Sequence, residues 1–494
     1  MTIALKYPQA LYIESQWVAP RSGDSEPVIN PANEQVICTA PVGGRADVEA
    51  ALASARAAFD RGPWPRMQPR QRAAMLQAFH AALVRRREEI CAIIVAETGC
   101  PISLTQFAQY GFPMQHLQYY IDVSVRDPVS SLPVDVVPNM FGGKTLGAGV
   151  TVREPVGVVV GITAYNFPFL LNLAKVAPAL ATGNVIVLKP SPYTPFEALL
   201  LGEAADEAGF PPGVLNIVTG GKEVGEMLTS DPRVDMISFT GSDVVGAAIM
   251  GQAAPTLKRL HLELGGKSAV IVRADANLEA AAAHALFAVT MHCGQGCALP
   301  TRALVHNSVR ARFVEIMAGM AQSAKLGDPT DPTTVVGPLI RASQRQRVEH
   351  YVSAGRESGA RLVTGGRRPP AFSRGFYFEP TIFDDVDNRS IIAQEEIFGP
   401  VSVVIGFDTD EQAIDIANDS QYGLAGDVYS ADVGRAYEIA LQLRTGSVAI
   451  NGGAGTMSSH APFGGYKRSG FGREYGIEGL NEFTQLKAIA YHGG

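Results

Sequence analysis

The sequence predicts an α/β fold made of two doubly wound open-sheet domains with a small β element attached. Three observations carry this. The chain has 494 residues, more than one hydrophobic core organises, since domains run at roughly 100–200 residues. From Gly157 onward, short β-branched or apolar runs alternate with helical segments, the pattern of a parallel, doubly wound sheet whose ligands bind beyond the carboxyl ends of its strands. A second alternating block then begins at Ser268 and continues to about Gly453.

The elements follow in order. The N-terminal third reads as helix-rich: residues 48–60 and 70–98 place apolar side chains at helical spacing with charges between them. Around residues 127–152 the pattern changes. The alternation of 145–152, after the Gly142-Gly143 turn signal, predicts a hairpin that protrudes and pairs. Strands are then expected at 158–160, 184–188, 214–218 and 236–239, separated by helices at 171–182, 195–208 and 224–230. Leu260-His261-Leu262 alternates like a further strand. In the second block strands are expected near 269–272, 303–305, 401–405 and 447–450. The tail from Gly464 is glycine-rich, then helix-like, and ends in a short strand at 487–491.

Bulk properties exclude several function classes. Hydrophobic residues make up 46% of the chain and charged residues 18%, with 51 glycines, a globular composition. Net charge is −7, and the densest basic run, Arg85-Arg86-Arg87, is followed at once by Glu88-Glu89, so nucleic-acid binding through bulk electrostatics is not expected. Five cysteines form no disulfide framework, which points to a reducing, cytoplasmic setting. Residues 1–16 lack a positive segment followed by an apolar run, so no signal peptide is expected. The apolar stretch 156–174 approaches the length of a membrane span, but Asn166, Pro168, Asn172 and two glycines divide it into strand, loop and helix start.

Chemistry concentrates in a few segments. In His292-Cys293-Gly294-Gln295-Gly296-Cys297-Ala298 the glycines allow a sharp turn that Gln295 can hydrogen-bond in place, presenting the Cys297 sulfur to a substrate. Asn166, just beyond an expected strand, either caps the next helix or offers its amide to an oxyanion. Gly241 permits close backbone approach and Ser242 stands at a helix start, an anion site suited to a pyrophosphate or an ordinary cap. Gly225, at the preceding strand–helix turn, is a second candidate for that surface. Glu263 is a carboxylate amid apolar residues, costly unless used or paired. His292, Cys293 and Cys297 have no second Cys/His cluster to complete a zinc site, so no metal is expected and Cys293 is placed in the pocket lining. Gly266-Lys267-Ser268 lacks the upstream glycine of a P-loop, where His261 stands, and Gly470-Phe471-Gly472-Arg473 has no strand before it, so neither is taken as a phosphate site.

Four segments taken together are more specific: Thr163-Ala164-Tyr165-Asn166-Phe167-Pro168, Glu263-Leu264-Gly265-Gly266-Lys267, the Cys297 loop, and Glu396-Ile397-Phe398-Gly399-Pro400. In this order and at these spacings they resemble the aldehyde dehydrogenase superfamily over nearly the whole chain, and Pro462-Phe463-Gly464-Gly465-Tyr466-Lys467-Arg468-Ser469-Gly470 follows the family pattern too. The resemblance implies NAD(P)-dependent oxidation of an aldehyde to its carboxylic acid. Cys297 would be the nucleophile that forms a thiohemiacetal and then a thioester. Asn166 and the Cys297 N–H would hold the oxyanion, and Glu263 would activate water for deacylation. It implies NAD as cofactor, contacted by Ile162, Thr163, Lys189, Ser191, Gly225, Phe239, Gly241, Ser242, Val245, Leu264, Glu396 and Phe398. NADP stays open, because Pro192 stands where many NAD-preferring members carry a Glu that would repel a 2′-phosphate. Tyr165, where Trp is frequent, is the other departure.

By the same resemblance, Phe167, Leu170, Ala174, Met291 and Met457 line the aldehyde tunnel, with Cys293 beside them. All are apolar and none is basic, which favours a medium-to-long aliphatic, terpenoid or aromatic aldehyde over a carboxylate-bearing semialdehyde. Domains are expected at 1–128 with 151–262 for the cofactor, 263–463 for catalysis, and 129–150 with 479–494 for oligomerisation as a dimer or dimer of dimers. Three alternatives remain: a CoA-acylating enzyme, which Glu263 argues against; a non-catalytic relative, which the intact Cys297, Asn166 and Glu263 argue against; and a thiol hydrolase, for which His292 has no motif to orient it.

Overall fold

The computed structural model describes residues 5–491, apart from the side chain of Met457. Two sheets and a β extension organise the chain. The first sheet has eight strands in the order Gln16–Val18, Leu11–Ile13, Leu215–Ile217, Val185–Lys189, Val158–Ile162, Met236–Thr240, Arg259–Glu263, Gly470–Phe471. Its five central strands are parallel. The parallel part begins at Val158–Ile162, winds outward through Val185–Lys189 to Leu215–Ile217, and returns to the other side at Met236–Thr240. That reversal opens a crevice beyond the carboxyl ends of the strands, where Thr163, Gly241 and Glu263 emerge. The strands are fully buried apolar runs because helices cover both faces.

The second sheet has seven strands in the order Arg361–Thr364, Thr381–Asp384, Val401–Phe407, Arg302–His306, Ala269–Val272, Ala425–Tyr429, Ser447–Ile450. It is parallel except at Arg361–Thr364. Separate apolar clusters fill its two faces, one around Ile271, Leu304 and Val403, the other around Val270, Ala285 and Phe313. The third element is the long strand Lys144–Pro155, flanked by Asp135–Pro138 and Val129–Ser131 on one side and by Thr484–Tyr491 on the other. The expected hairpin is present, and Asn139 closes its turn by accepting from the N–H groups of Phe141 and Gly143.

Several expectations change. The helical stretch 70–98 is two helices, Pro69–Arg85 and Arg87–Thr98, separated at Arg86, whose φ of −95° and ψ of 12° break the helical path. The N-terminal third also carries four short strands, Leu11–Ile13, Gln16–Val18, Ser25–Ile29 and Val36–Pro41, which helical periodicity did not reveal. The apolar stretch 156–174 is divided as expected into the strand Val158–Ile162, a loop, and the start of the helix Pro168–Ala181. Among the described residues no helix is long and apolar enough to cross a membrane. Gly470–Phe471 pairs with Arg259–Glu263, so the tail returns to the first sheet before reaching the β extension.

Candidate active site

The Cys297 loop joins the helix Leu278–Thr290 to the strand Arg302–His306. His292, Cys293 and Gly294 take left-handed φ values of 45°, 56° and 72° in succession, which reverses the chain within three residues. Gly294 is required there: a Cβ would run into the Gly399 carbonyl, and L side chains disfavour this φ. Gln295 fixes the turn as expected, its Nε2 donating to the His292 carbonyl at 3.1 Å and its Oε1 accepting from the Ile340 N–H at 3.0 Å. Gly266 packs so closely on this loop that a Cβ would strike the Cys297 carbonyl, which brings the end of the Glu263 strand against the cysteine.

Cys297, Glu263 and Asn166 all border one cavity of about 730 Å³. Glu263 is 1% exposed, and neither carboxylate oxygen has a hydrogen-bond partner of normal geometry among the described residues. Burial, then the nearby Glu474 carboxylate, pushes its carboxyl up to about 8, partly opposed by Lys175 and by the Cys297 thiol within hydrogen-bonding reach. Burial, and then the negative charges of Glu263 and Glu396, holds the Cys297 thiol well above its ordinary range. Asn166 is not a helix cap: the cap position of Pro168–Ala181 is Phe167, and no side chain caps it. Its Nδ2 donates one hydrogen to the Gln295 carbonyl at 3.0 Å, and its main-chain carbonyl accepts from Gln109 Nε2 at 3.1 Å. The first bond orients the side-chain amide and the second holds the backbone that carries it, which leaves the second amide hydrogen unused.

Of the residues expected to hold the cofactor, Gly241, Ser242, Glu396 and Phe398 line the cavity that holds Cys297, and Ile162, Thr163, Lys189 and Leu264 stand at the carboxyl ends of the strands of the first sheet. Lys189, at the end of its strand, is buried, donates to the Pro190 carbonyl at 3.0 Å, and is pushed down to about 8 by burial. Gly225 stands over its side-chain methylenes, where a Cβ would make ordinary contact at 3.8 Å. Ser191 accepts from the Tyr193 N–H at 3.2 Å. Ser242 caps the helix Asp243–Ala253 by accepting from the Val245 N–H at 3.4 Å, so the cap and the anion-binding helix end are the same feature. Gly246 and Leu264 are packed together: a Cβ on Gly246 would lie 2.8 Å from Leu264 Cδ2. Phe239 and Ile162 are buried strand residues behind this surface. The Thr163 hydroxyl donates to Asn172 Oδ1 at 2.7 Å. Glu396 is pushed up to about 7 by burial and accepts from the Gly266 N–H at 3.0 Å. Phe398, at φ 59°, meets Tyr165 edge-on with ring centroids 5.9 Å apart. A helix N-terminus, a buried carboxylate and a glycine-thinned wall fit a dinucleotide.

The tunnel side is apolar. Phe167, Leu170 and Met291 line it, joined by Leu104, Phe107, Phe112, Leu171 and Phe287. Two expectations are corrected. Cys293 does not line the cavity: the left-handed turn directs it into the core of the second sheet, among residues such as Ala269, Leu304 and Val401, where burial raises its thiol. Ala174 is also off the cavity wall, one turn beyond Leu170 where every residue of the helix is buried against its neighbours. Met457 ends the short turn Ala454–Met457, and its side chain lies outside the described residues. His292 is fully buried against Phe167 and pushed down to about 4 by burial, which keeps it neutral and gives no support to a thiol hydrolase.

The sequence reading missed a buried ion pair beside Glu263. Lys175 Nζ contacts Glu474 and donates to Thr240 Oγ1 at 2.7 Å. The signal was present: Lys175 is the one charge in the apolar helix Pro168–Ala181, and a buried cation requires a partner. Arg347 and Gln344 were also missed; they donate to the Glu396 carbonyl at 2.6 Å and the Phe398 carbonyl at 2.7 Å and so hold that loop.

Comparison with known proteins places this geometry. The sequence profile of the Aldehyde dehydrogenase family matches residues 17–489. A 3-succinoylsemialdehyde-pyridine dehydrogenase from Pseudomonas sp is 40% identical, with 98% of each chain covered. The crystal structure of an aldehyde dehydrogenase of Mycobacterium tuberculosis complexed with NAD+ superposes with a TM-score of 0.92 at 43% identity, covering 97% of each chain. A mutant aldehyde dehydrogenase C of Pseudomonas syringae, complexed with NAD+ and octanal, gives a TM-score of 0.92 at 39% identity, covering 99% of this chain and 97% of that one. This chain therefore belongs to the aldehyde dehydrogenase family, as an NAD(P)-dependent, non-acylating enzyme that oxidises an aldehyde to a carboxylic acid through a catalytic cysteine.

Proposed function

We propose that the physiological substrate is a medium-to-long apolar aldehyde and that Cys297, Asn166 and Glu263 perform its oxidation. The observation that carries this is a cavity lined both by Leu104, Phe107, Phe112, Phe167, Leu170 and Phe287 and by Cys297, Asn166 and Glu263. An apolar wall gains by excluding water from a hydrocarbon chain, and none of these six side chains offers a distal carboxylate a partner. The octanal complex of the Pseudomonas syringae relative supports this size class.

Cys297 Sγ attacks the carbonyl carbon, and the oxyanion that develops is met by the unused Asn166 amide hydrogen and the Cys297 N–H. Donors held in advance in this way contribute about 3 kcal/mol each. Glu263 is the base in reach of the thiol proton. It must release that proton before deacylation, and a carboxyl held near 8 can both take and release one around neutral pH. The nicotinamide cofactor, when bound, accepts the hydride. Glu263 then removes a proton from the water that attacks the thioester, and Cys297 leaves as the thiol. The helix end at Ser242–Val245, with Lys189, Ser191 and Glu396, would hold the dinucleotide. NAD is the proposed cofactor, on the complexes of the relatives. Pro192 sets no carboxylate against a 2′-phosphate, so NADP is the alternative.

We further propose the division into a cofactor domain, a catalytic domain and an oligomerisation element at the boundaries given above, and a homodimer or dimer of dimers. The strand Thr484–Tyr491 exposes Leu486, Ile489 and Tyr491, and the hairpin tip exposes Met140 and Phe141, surface that a partner subunit would cover. Light scattering that finds a monomer refutes the oligomer. For the reaction, reduced-cofactor formation is measured with NAD and NADP separately, from acetaldehyde through octanal and citral to benzaldehyde and succinic semialdehyde. Faster turnover of octanal or citral than of succinic semialdehyde is expected. The reverse order overturns the substrate class.

A further inference from the structure

The cavity has one wall that its apolar lining does not explain. In the second sheet, Ala425–Tyr429 and the edge strand Ser447–Ile450 run parallel, with Ala425 opposite Ser447 and Asp427 opposite Ala449. Alternation along a strand puts these four side chains on one face, and all four line the cavity that holds Cys297. Asp427 is 6% exposed, yet no described residue donates a hydrogen bond to its carboxylate. His284 comes across from the helix Leu278–Thr290 and sets Nε2 3.2 Å from Asp427 Oδ1, out of line for a hydrogen bond. Thr456 borders the same region. The Asp427 oxygens are not sealed from the cavity, so this acceptor is open to a donor that enters it. On the opposite face of the same strand the neighbouring position is the core residue Val428.

We propose that Asp427, with His284 behind it, recognises a hydroxyl group at the end of the aldehyde remote from the carbonyl, so that the substrate is a hydroxylated apolar aldehyde; this rests on the assignment of the cavity to the aldehyde made above. A hydroxyl gives one hydrogen bond and takes others. Asp427 supplies the acceptor, and the Ser447 and Thr456 hydroxyls on the same wall supply donors. A carboxylate at that end would meet the charge of Asp427. An ammonium group would have to shed its water along the apolar tunnel, at a greater cost than a hydroxyl.

The test uses matched aldehydes with the intact enzyme and NAD: para-hydroxycinnamaldehyde against para-methylcinnamaldehyde, and medium-chain ω-hydroxy aldehydes against methyl-terminated aldehydes of equal length. A hydroxylated member is expected to be favoured by about tenfold or more in kcat/KM, mainly through KM, because a site built for a hydroxyl rejects the analogue without one. Asp427→Leu should bring the ratio to about one or below, and Asp427→Asn should leave an intermediate preference. The wild-type ratio and the Asn variant decide the matter if the Leu variant does not fold. Equal turnover of every matched pair by the wild type overturns the proposal while leaving the aldehyde cavity intact. So does a preference that survives Asp427→Leu, or an ω-ammonium aldehyde oxidised better than its hydroxyl counterpart. Absence of turnover with every aldehyde overturns the underlying substrate reading and this inference with it.

Discussion

Replacing Glu263 by Gln keeps the shape of the side chain and removes the base. Burial and Glu474 raise this carboxyl from 4.5 to about 8. At 1.36 kcal/mol per pH unit that is on the order of 5 kcal/mol against ionisation, and the carboxylate lies too deep for solvent to screen the effect. The direction for activity follows: a carboxyl with a raised pKa is protonated below it and becomes a base only as pH rises through it. At pH 7 roughly a tenth of the molecules carry an ionised Glu263, so the wild-type deacylation rate should climb about tenfold from pH 6 to 7 and level off above about pH 9. Glu263→Gln should lose this dependence and slow deacylation by about 10²–10⁴. Thioester formation should suffer less, because a thiol is a much stronger acid than water and requires less of its base. Stopped-flow absorbance of reduced cofactor would then show a burst that approaches one equivalent per site, followed by a slow steady state. A variant without a burst, or one that keeps the wild-type pH profile, refutes the assignment of Glu263 to deacylation.

Other consequences can be measured in the same preparations. Glu474→Gln removes the negative charge that helps to raise Glu263, so the deacylation profile should move to lower pH by about one unit; a profile that stays or moves upward contradicts the electrostatic account. Asn166→Ala should lower kcat by about 10²–10³ with a smaller change in KM, since its amide acts on charge that develops during reaction; a loss confined to KM would make it a ground-state contact. Gly294→Ala forces a Cβ into a left-handed position against the Gly399 carbonyl, and should cost more than about 1 kcal/mol in denaturant unfolding. An unchanged midpoint and full activity would show that the Cys297 loop does not depend on this turn.

The fold was legible where burial is uniform. Val158–Ile162, Val185–Lys189 and Met236–Thr240 are buried on both faces, and so read as β-branched runs within a residue or two of their ends. Gln16–Val18 and Ser25–Ile29 were not legible, because they are short, only partly buried and held by pairing instead of by pattern. The break at Arg86 left no trace either, since neither Gly nor Pro marks it. At the site, Cys297 and Glu263 stood out because each residue type is expensive in its local apolar or glycine-rich setting. Glu474 did not, because its partner Lys175 lies 299 residues away in the sequence and only the fold joins them. Cys293 misled for a related reason: it sits in the Cys297 loop, and the handedness of three backbone residues, invisible in composition, turns it into the core.

The proposed mechanism requires the aldehyde carbon to become covalently bound to Cys297. Intact-protein and peptide mass spectrometry of the Glu263→Gln enzyme, quenched in acid seconds after mixing with NAD and octanal, tests it directly. One octanoyl group per chain is expected, on the peptide that contains Cys297, and none in a Cys297→Ser protein treated alike. An unmodified Cys297 during turnover, or an acyl group on another residue, would contradict it.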